Sequence, residues 1–169
     1  GQPDVGQKGV PVSAVRIHRP KYNLATLLKK PGGMTVMDAV QKAEANLEGL
    51  HDAAILELDA ALVRSEACFA RYGAAHDEAL LREHYEAAVR LIGLPNLCGL
   101  DALENAAHSL CDLLDRLITT GKWDRDGVEV HIKAHRLLRS LPAEAAAAAE
   151  PILDGLRKVR ERHAIPSDN

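Results

Sequence analysis

Three of the eight histidines, His108, His131 and His135, fall in the single stretch Asp101–Leu141. An imidazole changes charge near neutral pH, and it can move a proton, accept a phosphoryl group or ligate a metal. Which of these is open to each ring depends on the helix face that carries it. On a helix from Asp101, advancing about 100° per residue, residues Leu103, Ala106, Ala107, Leu110, Leu113, Leu114, Leu117 and Ile118 share one broad face, and His108 projects away from it. Glu104, Cys111, Asp112 and Asp115 stand at i−4, i+3, i+4 and i+7 from His108, which makes it an exposed imidazole beside carboxylates. The bland reading is a plain surface histidine. The sharper one is a reactive ring that Asp112 orients.

His131 and His135 lie four apart, a spacing that puts two imidazoles on one side of a helix, as metal sites require. The intervening residues are Ile132, Lys133 and Ala134, so there is no HExxH pattern, and a third ligand from His84, Cys111 or Asp112 needs a tertiary contact. No metal and no cofactor is expected. In this helix Val130, Ala134, Leu137, Leu138 and Leu141 read as the core stripe, with His131 at its border. His135 shares a second apolar strip with Val128 and Ile132, which reads as a partner-binding surface together with Cys111 and Asp112. Trp123, the only tryptophan, sits in the turn Gly121-Lys122-Trp123-Asp124 and is expected to plug the end of a bundle. No ExxH pairs recur on facing helices, and no glycine-rich phosphate loop or nucleophile elbow occurs, so no enzyme motif stands out.

The elements that must position these residues read as helices throughout. Residues 1–20, with Pro3, Gly6, Gly9, Pro11 and Pro20, show no sustained period and are expected to be a flexible arm with a basic end. Lys21–Lys30 suits a short helix that Pro31, Gly32 and Gly33 stop. Thr35, with Asp38 three positions on, opens a long helix in a capping-box pattern. Its apolar positions Val36, Val40, Ala43, Leu47, Leu50, Ala54, Leu58, Ala61 and Leu62 recur at spacings near three and four, and the pattern continues to about Tyr72. Such a helix outreaches the others, so it either pairs in a homodimer or bends near Gly49.

Asp77 opens the next helix, Gly93–Gly99 reads as a loop, and Asp101 with Glu104 reads as another capping pair. Gly121 suits an αL C-cap, Asp124 an N-cap, and Pro142 the first turn of a last helix that Pro151 interrupts. The expectation is an all-α antiparallel bundle of four to five main helices, with a single domain over 21–163 and a flexible tail over 164–169.

Composition sets the outer limits. Of the 169 residues 47% are hydrophobic, 27% charged and only 3% aromatic, so the core must be aliphatic. A net charge of −3 lacks the basic stripe that a nucleic-acid binder uses. Cys68, Cys98 and Cys111 have no CxxC spacing and read as reduced thiols. With no leader-like apolar segment and no apolar run long enough for a membrane, a cytoplasmic protein is expected.

Two resemblances bear on function. The string Ala107-His108-Ser109-Leu110, with a solvent-facing histidine on a bundle helix, resembles histidine phosphotransfer domains. That family usually continues with lysine and then a small residue, where this chain has Cys111 and Asp112. A lysine would stabilise the transferred charge, whereas a carboxylate one turn away repels it.

The second resemblance rests on Pro20-Lys21-Tyr22-Asn23-Leu24-Ala25-Thr26-Leu27-Leu28-Lys29-Lys30-Pro31-Gly32-Gly33 and on Ser109-Leu110-Cys111-Asp112-Leu113-Leu114-Asp115-Arg116-Leu117, followed by Gly121-Lys122-Trp123-Asp124. These stretches are similar to the CheE-type proteins, small helical proteins encoded in chemotaxis operons of alphaproteobacteria. That resemblance implies a signalling accessory or adaptor whose partner is a response regulator receiver domain or a chemotaxis kinase component. It supplies no site residues of its own. The alternative expectation is a phosphotransfer protein that relays a phosphoryl group through His108.

Overall fold

The computed structural model describes Gly1 and residues 35–167. Among these the chain forms α1 (Val36–Ala70), α2 (Glu78–Val89), α3 (Leu94–Leu97), α4 (Asp101–Thr120), α5 (Arg125–Ser140), a 3-10 turn (Ala143–Ala148) and α6 (Ala149–Glu161), with no strand. The architecture is the expected all-α bundle with one long helix. The arm over 2–20 and the helix over 21–30 lie outside the described residues. By internal contacts the chain divides into residues 1–44 and 45–169. That boundary falls within α1.

In the first part, the Thr35 hydroxyl accepts from the Asp38 amide at 3.1 Å and an Asp38 oxygen accepts from the Thr35 amide at 3.2 Å, the reciprocal capping box read in the sequence. At Gly49, which belongs to the second part, the helix has no break.

In the second part, α4 is the central helix, packed against α2, α3, α5 and α6. Leu103, Ala106 and Ala107 at its start join Leu58, Ala61, Leu138 and Leu156 in one core cluster. Leu110, Leu113, Leu114 and Leu117 join Leu81, Ala88 and Val128 in a second. Each fully buried leucine withdraws enough apolar surface to contribute roughly 1.5–3 kcal/mol. α1 and α5 run antiparallel, as two bidentate ion pairs show: Glu66 to Arg136, and Asp59 to Arg139. The first pair is exposed and the second half-buried, and both fix register more than they add stability.

The caps explain most boundaries. Asp77 accepts from the Leu80 amide at 3.0 Å, and Asp124 from the Gly127 amide at 2.9 Å. Gly121 ends α4 at φ 67°, a conformation that favours glycine. Trp123 stacks on Tyr72 with ring centroids 4.8 Å apart and donates to the Gly73 carbonyl at 3.1 Å, closing one end of the bundle as expected.

Three readings are corrected. The Gly93–Gly99 stretch contains the short helix α3. The N-cap of α4 is Leu100, with no side-chain cap, because Glu104 is turned to the Gly93 amide instead. Pro151 does not interrupt a helix. The alanine run forms the 3-10 turn, and Pro151 then lies in the first turn of α6, where a missing amide proton costs little.

A close approach fixes where α5 meets α6. A methyl group on Gly127 would lie 2.9 Å from Val159 Cγ1 and collide with the Asp124 carboxylate. Gly127→Ala is therefore expected to lose about 1–3 kcal/mol despite alanine's better helix propensity. Urea unfolding checks this, and an unchanged or raised midpoint would contradict it.

Candidate functional site

His108 emerges from α4 into water, as its helix position requires, with 60% of its side chain exposed. Its Nε2 lies 3.3 Å from Oε1 of Glu104, one turn back. Glu104 is itself buried, and both of its oxygens accept from the Gly93 amide, at 2.9 and 3.1 Å. The ring therefore stands over a fixed carboxylate.

Asp112, one turn ahead, is not a free negative charge. It accepts from Arg116 Nε at 3.1 Å and from Arg160 Nη1 at 3.4 Å. Arg116 in turn donates to the Arg160 carbonyl at 2.9 Å, which ties α4 to the end of α6. α6 also brings Arg157 and Arg160 to a depression of about 410 Å³ that His108 lines with Asn105, Glu150, Leu153 and Asp154. Both guanidiniums come from a helix other than the one that carries His108. Long-range packing of this kind has no local signature.

The structure separates the other expected site residues from His108. Val128, Ile132 and His135 are buried, so the strip read as a partner surface belongs to the core. Conversely, Val130 and Leu137, read as core, are 44% and 51% exposed. The buried face of α5 is Val128, His131, Ile132, Ala134, His135 and Leu138, a helical stripe that includes two histidines as if they were apolar. Cys111 is half-buried and packs against the second core cluster. Only Asp112, of the expected partner-binding group, reaches the surface beside His108.

Those histidines enter the core with hydrogen bonds to both nitrogens of His131 and to Nε2 of His135, whose buried Nδ1 has no partner among the described residues. His131 Nδ1–H donates to the Gly127 carbonyl at 2.8 Å, which leaves Nε2 to accept from the Ser109 hydroxyl at 2.8 Å. His135 Nε2–H donates to the Ala106 carbonyl at 3.0 Å. His84 in α2 joins them: its ring bridges the Ser65 hydroxyl at 2.8 Å and the Tyr72 hydroxyl at 2.7 Å. The His131–His135 pair is spent on these internal bonds. Among the described residues no group of three or more His, Cys, Asp or Glu side chains could hold a metal ion.

The cysteines offer no activated nucleophile. Burial pushes the Cys111 thiol up to about 11 and raises Cys68 and Cys98 as well. Burial alone would raise the Asp124 carboxyl, but hydrogen bonds from His163 and the Gly127 amide, with Arg162 near, bring it below its ordinary value. That pair, at 2.6 Å, holds the chain after α6 to the cap of α5, a contact the sequence did not suggest.

A second feature lies on α1. Ala54, Leu58, Ala61 and Ser65 are buried, while residues 45–53 before them are all exposed. Leu47 and Leu50 stand 66% and 59% open to solvent. Val36 and Val40, in the first part of the chain, are exposed as well. None of the described helices is long and apolar enough to cross a membrane. In comparison with known proteins, the chain matches no protein-family model, no curated protein and no solved structure.

The buried rings make stability depend on pH. Burial, with His135 close by, lowers His84 to about 4, and burial lowers His131 to about 4 against the opposing pull of its bond to Gly127. Burial also lowers His135. An unfolded histidine takes its proton near pH 6.5, to within about a unit. Between that value and about 4 the unfolded chain therefore binds more protons than the folded one. Stability is complete above about pH 6.5 and falls as the pH drops, by about 1.4 kcal/mol per pH unit for each such ring. Urea midpoints at about pH 7.5 and about pH 5 check this. An equal or higher midpoint at the lower pH would contradict it.

Proposed function

We propose that this chain is an accessory or adaptor protein of bacterial chemotaxis or two-component signalling that works by binding another protein through the open half of α1. The observation that carries this is the exposure of Leu47 and Leu50 on a helix whose later turns are buried. Solitary helical turns are marginal in water and most helices are held by packing an apolar face. Exposed leucines that continue a core stripe are therefore a contact surface awaiting a partner. The sequence spacing carries the same stripe back through Ala43, Val40 and Val36. The resemblance to CheE-type proteins supports a receiver domain or a chemotaxis kinase component as that partner. The surface expected at Val128, Ile132 and His135 has no part in this reading.

A second reading, phosphoryl relay through His108, is favoured by one arrangement. The ring is open, the repelling Asp112 is clamped by Arg116 and Arg160, and Arg157 and Arg160 line the same depression. Cations so placed would stabilise a phosphoryl group as it arrives.

Binding of the full chain to the receiver and kinase domains of its host's chemotaxis system, measured by calorimetry, tests the first reading. The variant carrying both Leu47→Glu and Leu50→Glu is expected to bind more weakly by on the order of a hundredfold, because it loses the burial of two leucines against the partner. Its thermal unfolding should match that of the parent chain, since both positions are exposed. Binding to neither domain, or equal binding by parent and variant, would overturn the reading.

A further inference from the structure

We propose that His108 takes a phosphoryl group on Nδ1, not Nε2, and that Arg160 is the positioning cation for it. This rests on the relay reading above and assigns its reacting atom.

The argument begins with Glu104. Its carboxylate is buried, is held by the Gly93 amide and stands 3.3 Å from His108 Nε2. The contact is electrostatic and not a hydrogen bond, and a fixed carboxylate at that distance favours the ring proton on the nearer nitrogen, Nε2, with the lone pair on Nδ1. A phosphoryl group arriving at Nε2 would also meet the Glu104 charge at close range, in a partly dry setting where repulsion is strong. No hydrogen bond among the described residues engages Nδ1, and the side chain is mostly solvated.

The receiving charge comes from α6. Among the described residues the Arg160 guanidinium makes one hydrogen bond, from Nη1 to Asp112, which leaves donors for a phosphoryl oxygen. Arg157 is more fully engaged, by Asp154 and Glu161. Arg160 and His108 line one depression, and Asp112 holds the guanidinium at its edge.

The step balances without a further reagent. The Nδ1 lone pair attacks phosphorus in an acyl phosphate such as the phosphoaspartate of a receiver domain. The N–P bond forms as the P–O bond breaks, and the aspartate carboxylate leaves with the electron pair. The proton stays on Nε2, so the ring becomes cationic, and Glu104 faces that new charge.

The experiment uses the full chain and potassium phosphoramidate, a small chemical phosphoryl donor, followed by alkaline digestion and chromatography to separate the two phosphohistidine isomers by site. In the folded protein His108 is expected to carry the Nδ1 isomer, its ratio to the Nε2 isomer about tenfold above that of the same chain labelled in urea. Glu104→Gln, which can still accept from the Gly93 amide, should return the ratio toward the unfolded value. Arg160→Gln should slow labelling of His108 by about tenfold and leave the exposed His76 unchanged. The Nε2 isomer on His108 would overturn the assignment and leave the relay reading standing. Labelling of His76 with none on His108 would remove both.

Discussion

Neutral imidazoles fix how the helices of this bundle meet. Its core is aliphatic, and leucine and alanine contacts alone tolerate small slips along a helix axis. The bonds of His84 to Ser65 and Tyr72, of His131 to Ser109 and Gly127, and of His135 to Ala106 do not. Each is directional, lies in a low-dielectric interior and leaves a costly unpaired group if it breaks. Together they join α1 to α2 and α4 to α5, the contacts that place everything else. They also settle which imidazole is free. On α4 and α5, two of three histidines are consumed in the core, and His108 alone faces water.

The same constraint explains what could be read from the sequence. The capping box at Thr35 and Asp38, the αL glycine at 121, the cap at Asp124 and the leucine face of α4 are local, and each was legible because propensity and periodicity act over a few residues. The face of α5 was not. Counting His131 and His135 as polar turned its apparent stripe toward Val130 and Leu137, and the true stripe appears only when hydrogen-bonded histidines count as core. Glu104 was misread for a related reason. As the fourth residue of α4 it fits a capping pair with Asp101, but the tertiary approach of Gly93 offers it a better donor. The exposure of His108 was legible, whereas the arginines of α6 were not, because nothing in the spacing of α4 announces which helix will lie beside it.

Charge balance around His108 sets the range of its chemistry. Two carboxylates flank it on α4, but they differ in kind: Asp112 is paired with two guanidiniums, while Glu104 is buried and, among the described residues, accepts a hydrogen bond only from the Gly93 amide, with the imidazole 3.3 Å away. The long helix presents a different physics. Its later turns are anchored in the bundle, so the earlier ones inherit a nucleated helix and hold an apolar stripe outward without having to form it. That arrangement suits a docking element, since the ordering cost of the helix is largely met before a partner arrives.

Amide hydrogen exchange along α1 tests the docking account most directly. In the free chain, at a concentration where sedimentation shows a monomer, amides of residues 45–53 should exchange far faster than those of residues 58–68, and addition of the bound receiver or kinase domain should slow the first group to the rate of the second. Equal protection of both groups in the free monomer, or no slowing when the partner is bound, would contradict it.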